Sequence, residues 1–267
     1  MNLTLRLTGV ADALGVQPGD VVAFVGAGGK TTVIYRMAAE LAQRDWRVLL
    51  TTTTKIWPPE PGQVDGQFLA PDAAVAREHL AATMTPGRRL LVAAGLEPAE
   101  GKLRGVSPDL LCHIAATDLV DVVLVEADGA RGRSLKAPAH YEPVVPSCTT
   151  LLVPMAGLDA IGQPLGAAIV HRPERVSALT GLRPGDLITP AAVAHVLTHP
   201  DGGLKDAPPA ARVAILLNKA DGRSRLRPGR EIARLILDNS AVERVVLAAV
   251  GTQDPVREVL TSEGKAP

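Results

Sequence analysis

An α/β fold, with a mostly parallel sheet flanked by helices, is what this sequence predicts, and three observations predict it. Short β-branched runs alternate with alanine- and leucine-rich segments, the order that βαβ units impose. Glycine-rich or acidic motifs follow directly on several of those runs, at the carboxyl ends of strands where open α/β sheets place ligands. At 267 residues the chain is long enough to bury a substantial core, and it reads as one domain over 1–267.

Taken in order, Asp20 to Val25 is the first apolar run and Thr31 to Arg44 the helix after it. Val48 to Thr53 is the next strand and Ala73 to Thr85 the next helix. Leu90 to Ala94 is a third strand, and Leu96 to Val106, rich in glycine and charge, reads as a hairpin or loop. Ser107 caps a helix over Pro108 to Ala116, with proline at its first position. Strands follow at Asp121 to Glu126 and Thr149 to Val153. Between Gly157 and Asp206 the pattern turns helical and proline-punctuated, which predicts a helical insertion over about 157–206 containing a helix at Pro190 to Thr198. The sheet resumes at Arg212 to Leu217, a helix opens at Pro228 and runs to Leu237, and Arg244 to Ala249 is the last strand. Thr261 to Pro267 reads as a frayed tail.

Between the first strand and helix lies Gly26-Ala27-Gly28-Gly29-Lys30-Thr31-Thr32. Glycines there let backbone N–H groups converge on phosphate oxygens, Lys30 adds a point charge, and Thr31 offers a hydroxyl to Mg²⁺. The setting is that of a P-loop NTPase-like fold, shortened because Phe24 stands where the full pattern has glycine. A plain glycine-rich turn with a solvated lysine is the alternative.

Glu126-Ala127-Asp128-Gly129 closes the Val122 to Val125 run and puts carboxylates where a nucleotide's metal and terminal phosphate would lie. Asn218-Lys219-Ala220-Asp221 closes Val213 to Leu217 and matches the Asn-Lys-x-Asp sequence by which GTPases read guanine. A carboxylate at Asp221 accepts from the N1–H and the amino group of guanine together, a donor pair adenine lacks. An ordinary strand-ending turn remains the other reading.

These motifs resemble P-loop GTPases that carry Glu in the metal-site motif, a group rich in metallocentre assembly factors. With Thr51-Thr52-Thr53-Thr54-Lys55, Ala130 after Gly129, and Lys136-Ala137-Pro138, they resemble the YqeC family from about Asp20 to Val250. That resemblance implies an accessory of selenium-dependent molybdenum hydroxylases, with a hydroxylase or a cofactor-maturation protein as partner, and a part in making or inserting a selenium-containing cofactor.

Composition bounds the rest. Lys plus Arg equals Asp plus Glu at 28 each, so no global field draws the chain to nucleic acid or anionic membrane, and neither is expected as a partner. No apolar stretch has transmembrane length and Met1 to Gly9 lacks a signal layout, so the expected place is the cytoplasm. Cys112 and Cys148 are far apart and outside any Cys-x-x-Cys pattern, which reads as two small core residues, with a selenium-handling thiol as the sharper alternative. His195 and His199, four apart on a helix, lack a zinc-protease carboxylate and read as surface or capping residues.

Four threonines before Lys55 put hydroxyls at a ligand-bearing rim, where Lys55 could neutralise phosphate charge or hold an anionic substrate. Arg131, Arg133 and Lys136 lie where switch loops lie in GTPases and could reach the terminal phosphate or an anionic second substrate. His140 and His171-Arg172 are further candidates for the cleft. The expected activity is GTP binding and hydrolysis with Mg²⁺. Lys30, Lys55, Glu126, Asp128 and Arg131 carry the chemistry in that reading, Thr31, Glu126 and Asp128 serve the metal, and residues 26–32 with Asn218, Lys219 and Asp221 hold the nucleotide. An ATP-dependent small-molecule kinase or ligase, or a GTP-gated chaperone, are the competing readings.

Overall fold

The computed structural model describes residues 9–239 and 242–262. In chain order these form α1 (Val10–Leu14), β1 (Val21–Gly26), α2 (Lys30–Ala42), β2 (Val48–Thr52), β3 (Lys55–Ile56), β4 (Gly66–Leu69) and α3 (Ala73–Thr83). There follow β5 (Arg89–Ala93), β6 (Gly95–Glu97), β7 (Lys102–Arg104), α4 (Pro108–Ala115), β8 (Val122–Glu126), β9 (Leu135–Lys136) and β10 (Leu151–Gly157). After a single 3₁₀ turn at Leu158–Ala160 come β11 (Val170–His171), α5 (Pro173–Thr180), α6 (Pro190–Thr198), β12 (Arg212–Asn218), α7 (Arg223–Asn239), β13 (Arg244–Ala248) and β14 (Val256–Thr261).

Nine strands make one sheet in the order β14-β13-β12-β10-β1-β8-β2-β5-β4, parallel except at β14. β1 sits between β8 and β10, with Phe24 level with Glu126 on one side and Val153 on the other. The chain leaves β1 toward β2 on the β8 side and later returns to β10 on the opposite side. That reversal opens a crevice above the carboxyl end of β1, where open α/β sheets bind their ligands.

Strands β1, β2, β8 and β10 are buried on both faces, as parallel strands covered by helices must be. Val22, Phe24, Leu50, Leu124 and Val153 point to the face where Val33, Met37 and Leu41 of α2 lie. Val21, Ala23, Leu49, Val123 and Val125 point the other way, onto Leu80 of α3 and Leu110, Leu111 and Ile114 of α4. Further along the sheet, Ile215, Leu217, Val245 and Leu247 pack against Val176 of α5, Val193 and Leu197 of α6, and Ile232 and Ile236 of α7. The 157–206 segment therefore supplies part of a helical layer, and its β11 pairs only with β9.

The caps follow the predicted chemistry. Ser107 Oγ accepts from the Leu110 N–H at 3.2 Å and Thr189 Oγ1 from the Ala192 N–H at 3.2 Å, each ahead of a proline at the helix start. Leu96 to Val106 is a hairpin, with β6 antiparallel to β7.

Four expectations are corrected. Pro228 does not open α7, which begins five residues earlier at Arg223. The bond forfeited at proline is offset by the buried stripe Ile232, Ala233 and Ile236. Thr261 is not tail but the end of β14, opposite Arg244 of β13, while 263–267 lie outside the described residues. Cys112 and Cys148 are not separate thiols: they form a disulfide, with Cα atoms 5.6 Å apart, tying α4 to the loop before β10. With both sulfurs so engaged neither is free to handle selenium. The threonine run is also mostly structural. Thr51 donates to the Val92 carbonyl at 2.9 Å, Thr52 to the Glu126 carbonyl at 2.8 Å and Thr53 to the Val144 carbonyl at 2.7 Å, so two of the four hydroxyls tie strands together and a third ties the end of β2 to the loop before β10.

Among the described residues no helix is long and apolar enough to cross a membrane.

Candidate functional site

The loop between β1 and α2 bends at three glycines with left-handed φ: +89° at Gly26, +91° at Gly28 and +103° at Gly29. Gly28 also lies too close to its neighbours for any side chain, since a Cβ there would stand 2.4 Å from the Gly157 nitrogen. The loop is tied down by its own amides: Ala27 N–H donates to the Met155 carbonyl and Gly28 N–H to the Arg133 carbonyl, both at 3.0 Å. Helix α2 then starts at Lys30 with Gly29 at its cap and no side chain accepting from its first turn. The N–H groups of that turn and the positive end of the helix dipole face the crevice.

Lys30 is 3% exposed. Its ammonium donates to the Gly26 carbonyl at 2.6 Å and pairs with Asp128 Oδ1 at 3.1 Å. Asp128, 2% exposed, accepts from the Gly26 N–H with both oxygens at 3.1 Å and pairs with Lys136 at 2.8 Å. Lys136 continues to Glu142 at 2.9 Å, and Glu142 to the Arg172 guanidinium. A string of alternating charge thus runs from the glycine loop to the start of α5. Lys136, fully buried in it, is not a side chain that swings onto ligand.

Glu126 closes β8 beside the loop, and the Thr31 hydroxyl donates to its Oε2 at 2.7 Å. Burial pushes the Glu126 carboxyl above the usual carboxylate range, against the pull of the Lys30 charge and the Thr31 hydroxyl, with Asp128 adding to the rise.

From Lys30, Thr31 and Glu126 a cleft of about 720 Å³ opens toward β2. One wall carries Thr54, Lys55, Trp57 and Lys102, and the other Arg131, Arg133, Tyr141, Glu142, His171 and Arg172. Six cations against two carboxylates line a cleft in a chain whose formal charges balance. Lys55 pairs with Glu100 at 2.6 Å and Glu97 at 3.5 Å, and Lys102 with Glu100 at 3.2 Å. Arg131 and Arg133 have no side-chain hydrogen bond or ion pair among the described residues. His171 is pulled down to about 4, by burial first and then by the Arg172 and Lys136 charges, and is neutral at pH 7. Arg131 and Arg172 both hold left-handed backbone, φ +49° and +63°, a conformation that costs energy in a non-glycine residue and clusters at ligand sites.

Asn218 lies on the other side of the loop and does not line this cleft. Its amide donates to the Gly28 carbonyl at 2.8 Å, and its oxygen accepts from the Val250 N–H at 3.2 Å. Lys219, at φ +61°, donates to Ser134 Oγ and Asp159 Oδ2, each at 2.8 Å. Asp221 is exposed beside Arg225 at 3.2 Å. Of the other candidates, His140 is not on the cleft wall, where its neighbour Tyr141 stands instead. His195 is exposed on α6, and His199, just past its end, accepts at Nδ1 from the Asp201 N–H at 2.9 Å. Sequence reasoning missed Trp57, Tyr141 and Glu142 in the cleft. The two aromatics had a signal, since the chain has only six aromatic residues and these flank the Thr-Lys and Lys-Ala-Pro motifs.

Comparison with known proteins bears on the same region. The family model described as YqeC protein matches residues 22–174, which span the loop, β8 and the cleft's second wall. A relative from Escherichia coli K12, described as uncharacterized protein YqeC, is 29% identical over 199 residues, covering 74% of this chain and 75% of its own.

Proposed function

The chain belongs to the YqeC family, and from that premise we propose that it is a P-loop-type, Mg²⁺-dependent nucleoside triphosphatase with GTP as its nucleotide. The observation that carries the reading is the open first turn of α2 behind a three-glycine loop, with Lys30 and the Thr31–Glu126 pair at its edge. The N–H groups of the turn and the Lys30 ammonium hold phosphate oxygens.

The donors fit Mg²⁺, a hard cation that takes one or two protein oxygens together with phosphate and water. Thr31 Oγ1 and the Glu126 carboxylate would hold it or its water shell, and the ion would neutralise charge between phosphates. Asp128, enclosed by Lys30, Lys136 and the Gly26 N–H, acts on this site by fixing Lys30. From its place beside Thr31, Glu126 would orient an attacking water through the shell of the ion. Arg131, unpaired at the cleft, stabilises charge developing on the terminal phosphate. Lys55 contributes less, because Glu100 and Glu97 already balance it.

Base reading falls to Asp221, whose carboxylate oxygens are exposed, while Asn218 braces the loop that holds the phosphates. Selenium and molybdenum enter on the resemblance of the motifs alone: the nucleotide would drive the making or insertion of such a cofactor for a hydroxylase. A second reading, phosphate or nucleotide transfer by an ATP-dependent kinase or ligase, is favoured by the room the cleft leaves beyond Lys30.

The test is a thermal-shift series of GTP, ATP and XTP with and without Mg²⁺, followed by product analysis. GTP with Mg²⁺ should stabilise most, because a ligand of the folded form raises stability with its concentration over its affinity. Asp221→Asn should lose GTP and gain XTP, since its amide presents a donor to the base. Equal responses to ATP and GTP, with no gain for XTP, would remove the guanine assignment and leave the kinase or ligase reading.

A further inference from the structure

Trp57 and Tyr141 are the two most exposed large apolar side chains among the described residues, at 66% and 64%, and both stand on the cleft. Phe24 and Phe68 are buried and Tyr35 and Trp46 half-buried, so the chain has put its two open aromatic faces in one place. Each ring has a cation set over it. The Lys102 ammonium lies 5.1 Å from the Trp57 ring centre, and the Arg172 guanidinium lies 5.6 Å from that of Tyr141 and donates to its hydroxyl at 3.0 Å. Exposed rings cost free energy in water unless something planar or apolar covers them.

The same cleft offers Arg131 and Arg133, whose guanidinium groups have no side-chain partner among the described residues. Arg presents a planar fork that matches phosphate and carboxylate oxygens. Neutral His171 lies beside Arg172 and is held uncharged at pH 7, so it serves as a hydrogen-bonding group on the same wall.

We propose that the cleft beyond Lys30 is a second-substrate subsite for a small molecule carrying both an anionic group, phosphate or carboxylate, and a planar ring. The anion sits on Arg133, with Arg131 left to the terminal phosphate, and the ring lies against Trp57 and Tyr141. This rests on the reading of the glycine loop as the triphosphate site. If the base of that nucleotide runs toward Asn218 and Asp221, on the β12 side of β1, it leaves the β2 side to another ligand, and the residues lining this cleft include none of 218–221. The string Lys30, Asp128, Lys136, Glu142 and Arg172 joins the two sites through buried ion pairs.

Trp46→Phe leaves Trp57 as the sole indole and makes its emission a local reporter. The probe is 4-nitrophenyl phosphate, compared with inorganic phosphate and with 4-nitrophenol, each titrated with and without a non-hydrolysable GTP analogue and Mg²⁺. The expected result is quenching of Trp57 by the probe in both conditions, with affinity at least about tenfold above either fragment. Arg133→Ala and Trp57→Ala, the latter read by calorimetry, should each weaken the probe by about tenfold and leave the thermal shift produced by the GTP analogue unchanged. Competition between probe and nucleotide, quenching of Trp57 by nucleotide alone, or indifference to Arg133→Ala would overturn the subsite. The titration without nucleotide separates the two ideas. Probe binding in a protein that no nucleotide stabilises keeps the ring-and-anion site while sinking the triphosphatase, and no probe binding in a protein that nucleotide does stabilise sinks the subsite by itself.

Discussion

Asp128 shows how much one buried carboxylate holds at this site. Among the described residues it faces two ammonium groups and one backbone N–H, and it is 2% exposed. Removing one partner of a buried ion pair leaves an uncompensated charge, which costs about 3–5 kcal/mol. Asp128→Ala strands both Lys30 and Lys136, although Glu142 still faces Lys136. Lys30→Ala strands only one side of Asp128, which keeps Lys136 and the Gly26 N–H. Urea unfolding should therefore show a loss of about 3–5 kcal/mol for Asp128→Ala and a clearly smaller one for Lys30→Ala, while calorimetry finds triphosphate binding lost in both. The reverse order of stability would mean that Asp128 serves the ligand and not the fold.

At the scale of elements, the glycine loop is built by closeness as well as by φ. A Cβ on Gly28 would meet the Gly157 nitrogen at 2.4 Å and the Ala156 carbonyl carbon at 2.6 Å, both backbone of β10, which cannot give way as a flexible side chain does. Gly28→Ala should cost on the order of 3 kcal/mol, from overpacking and strained φ together. Gly129→Ala, with ordinary φ and nothing within 4 Å of its Cβ, should stay within about 0.5 kcal/mol. Equal melting temperatures for the two variants would contradict the tight seating of the loop on β10.

Legibility divides along the same line. Strands buried on both faces, such as Val122–Glu126, announce themselves as unbroken apolar runs, and helices opened by Ser107 and Thr189 carry their caps in the sequence. Two-residue strands such as β3 and β9 carry no period to read, and β4 is a four-residue edge. The order of motifs along the chain placed Lys30, Thr31 and Glu126 side by side, because strand ends in a parallel sheet share one rim. The partners of those residues were not legible. Lys136 reads as a switch-loop cation until the fold buries it against Asp128, and Asn218 reads as a base contact until its amide is seen to brace Gly28. Such pairings join residues distant in sequence, and only the folded topology selects among them.

For the molecule as a whole, the disulfide does what the sheet alone does not. It closes a loop between residues 36 apart that contains all of β8 and the Gly129 to Tyr141 wall of the cleft. Cys148 sits just before the amino end of β10, whereas the site lies at the carboxyl end of the sheet, so the bond acts on stability and not on ligand contacts. Closing a loop of this size removes unfolded-state entropy worth about 3–4 kcal/mol. Reduction should lower the melting temperature by on the order of 10 °C, and Cys112→Ala should show the same fall with no further response to reductant. The shift produced by nucleotide should persist in both. The compartment follows from the state of the bond in the cell, because such a bond is kept where the surroundings are oxidising and lost where glutathione holds thiols reduced. Thiol titration of protein isolated under alkylating conditions reads which of the two applies. Two blocked thiols would show the reduced form in the cell and agree with the cytoplasmic expectation. An intact bond would place the working protein outside a reducing cytosol, and a melting temperature indifferent to reductant would show that the sheet closes without the bond.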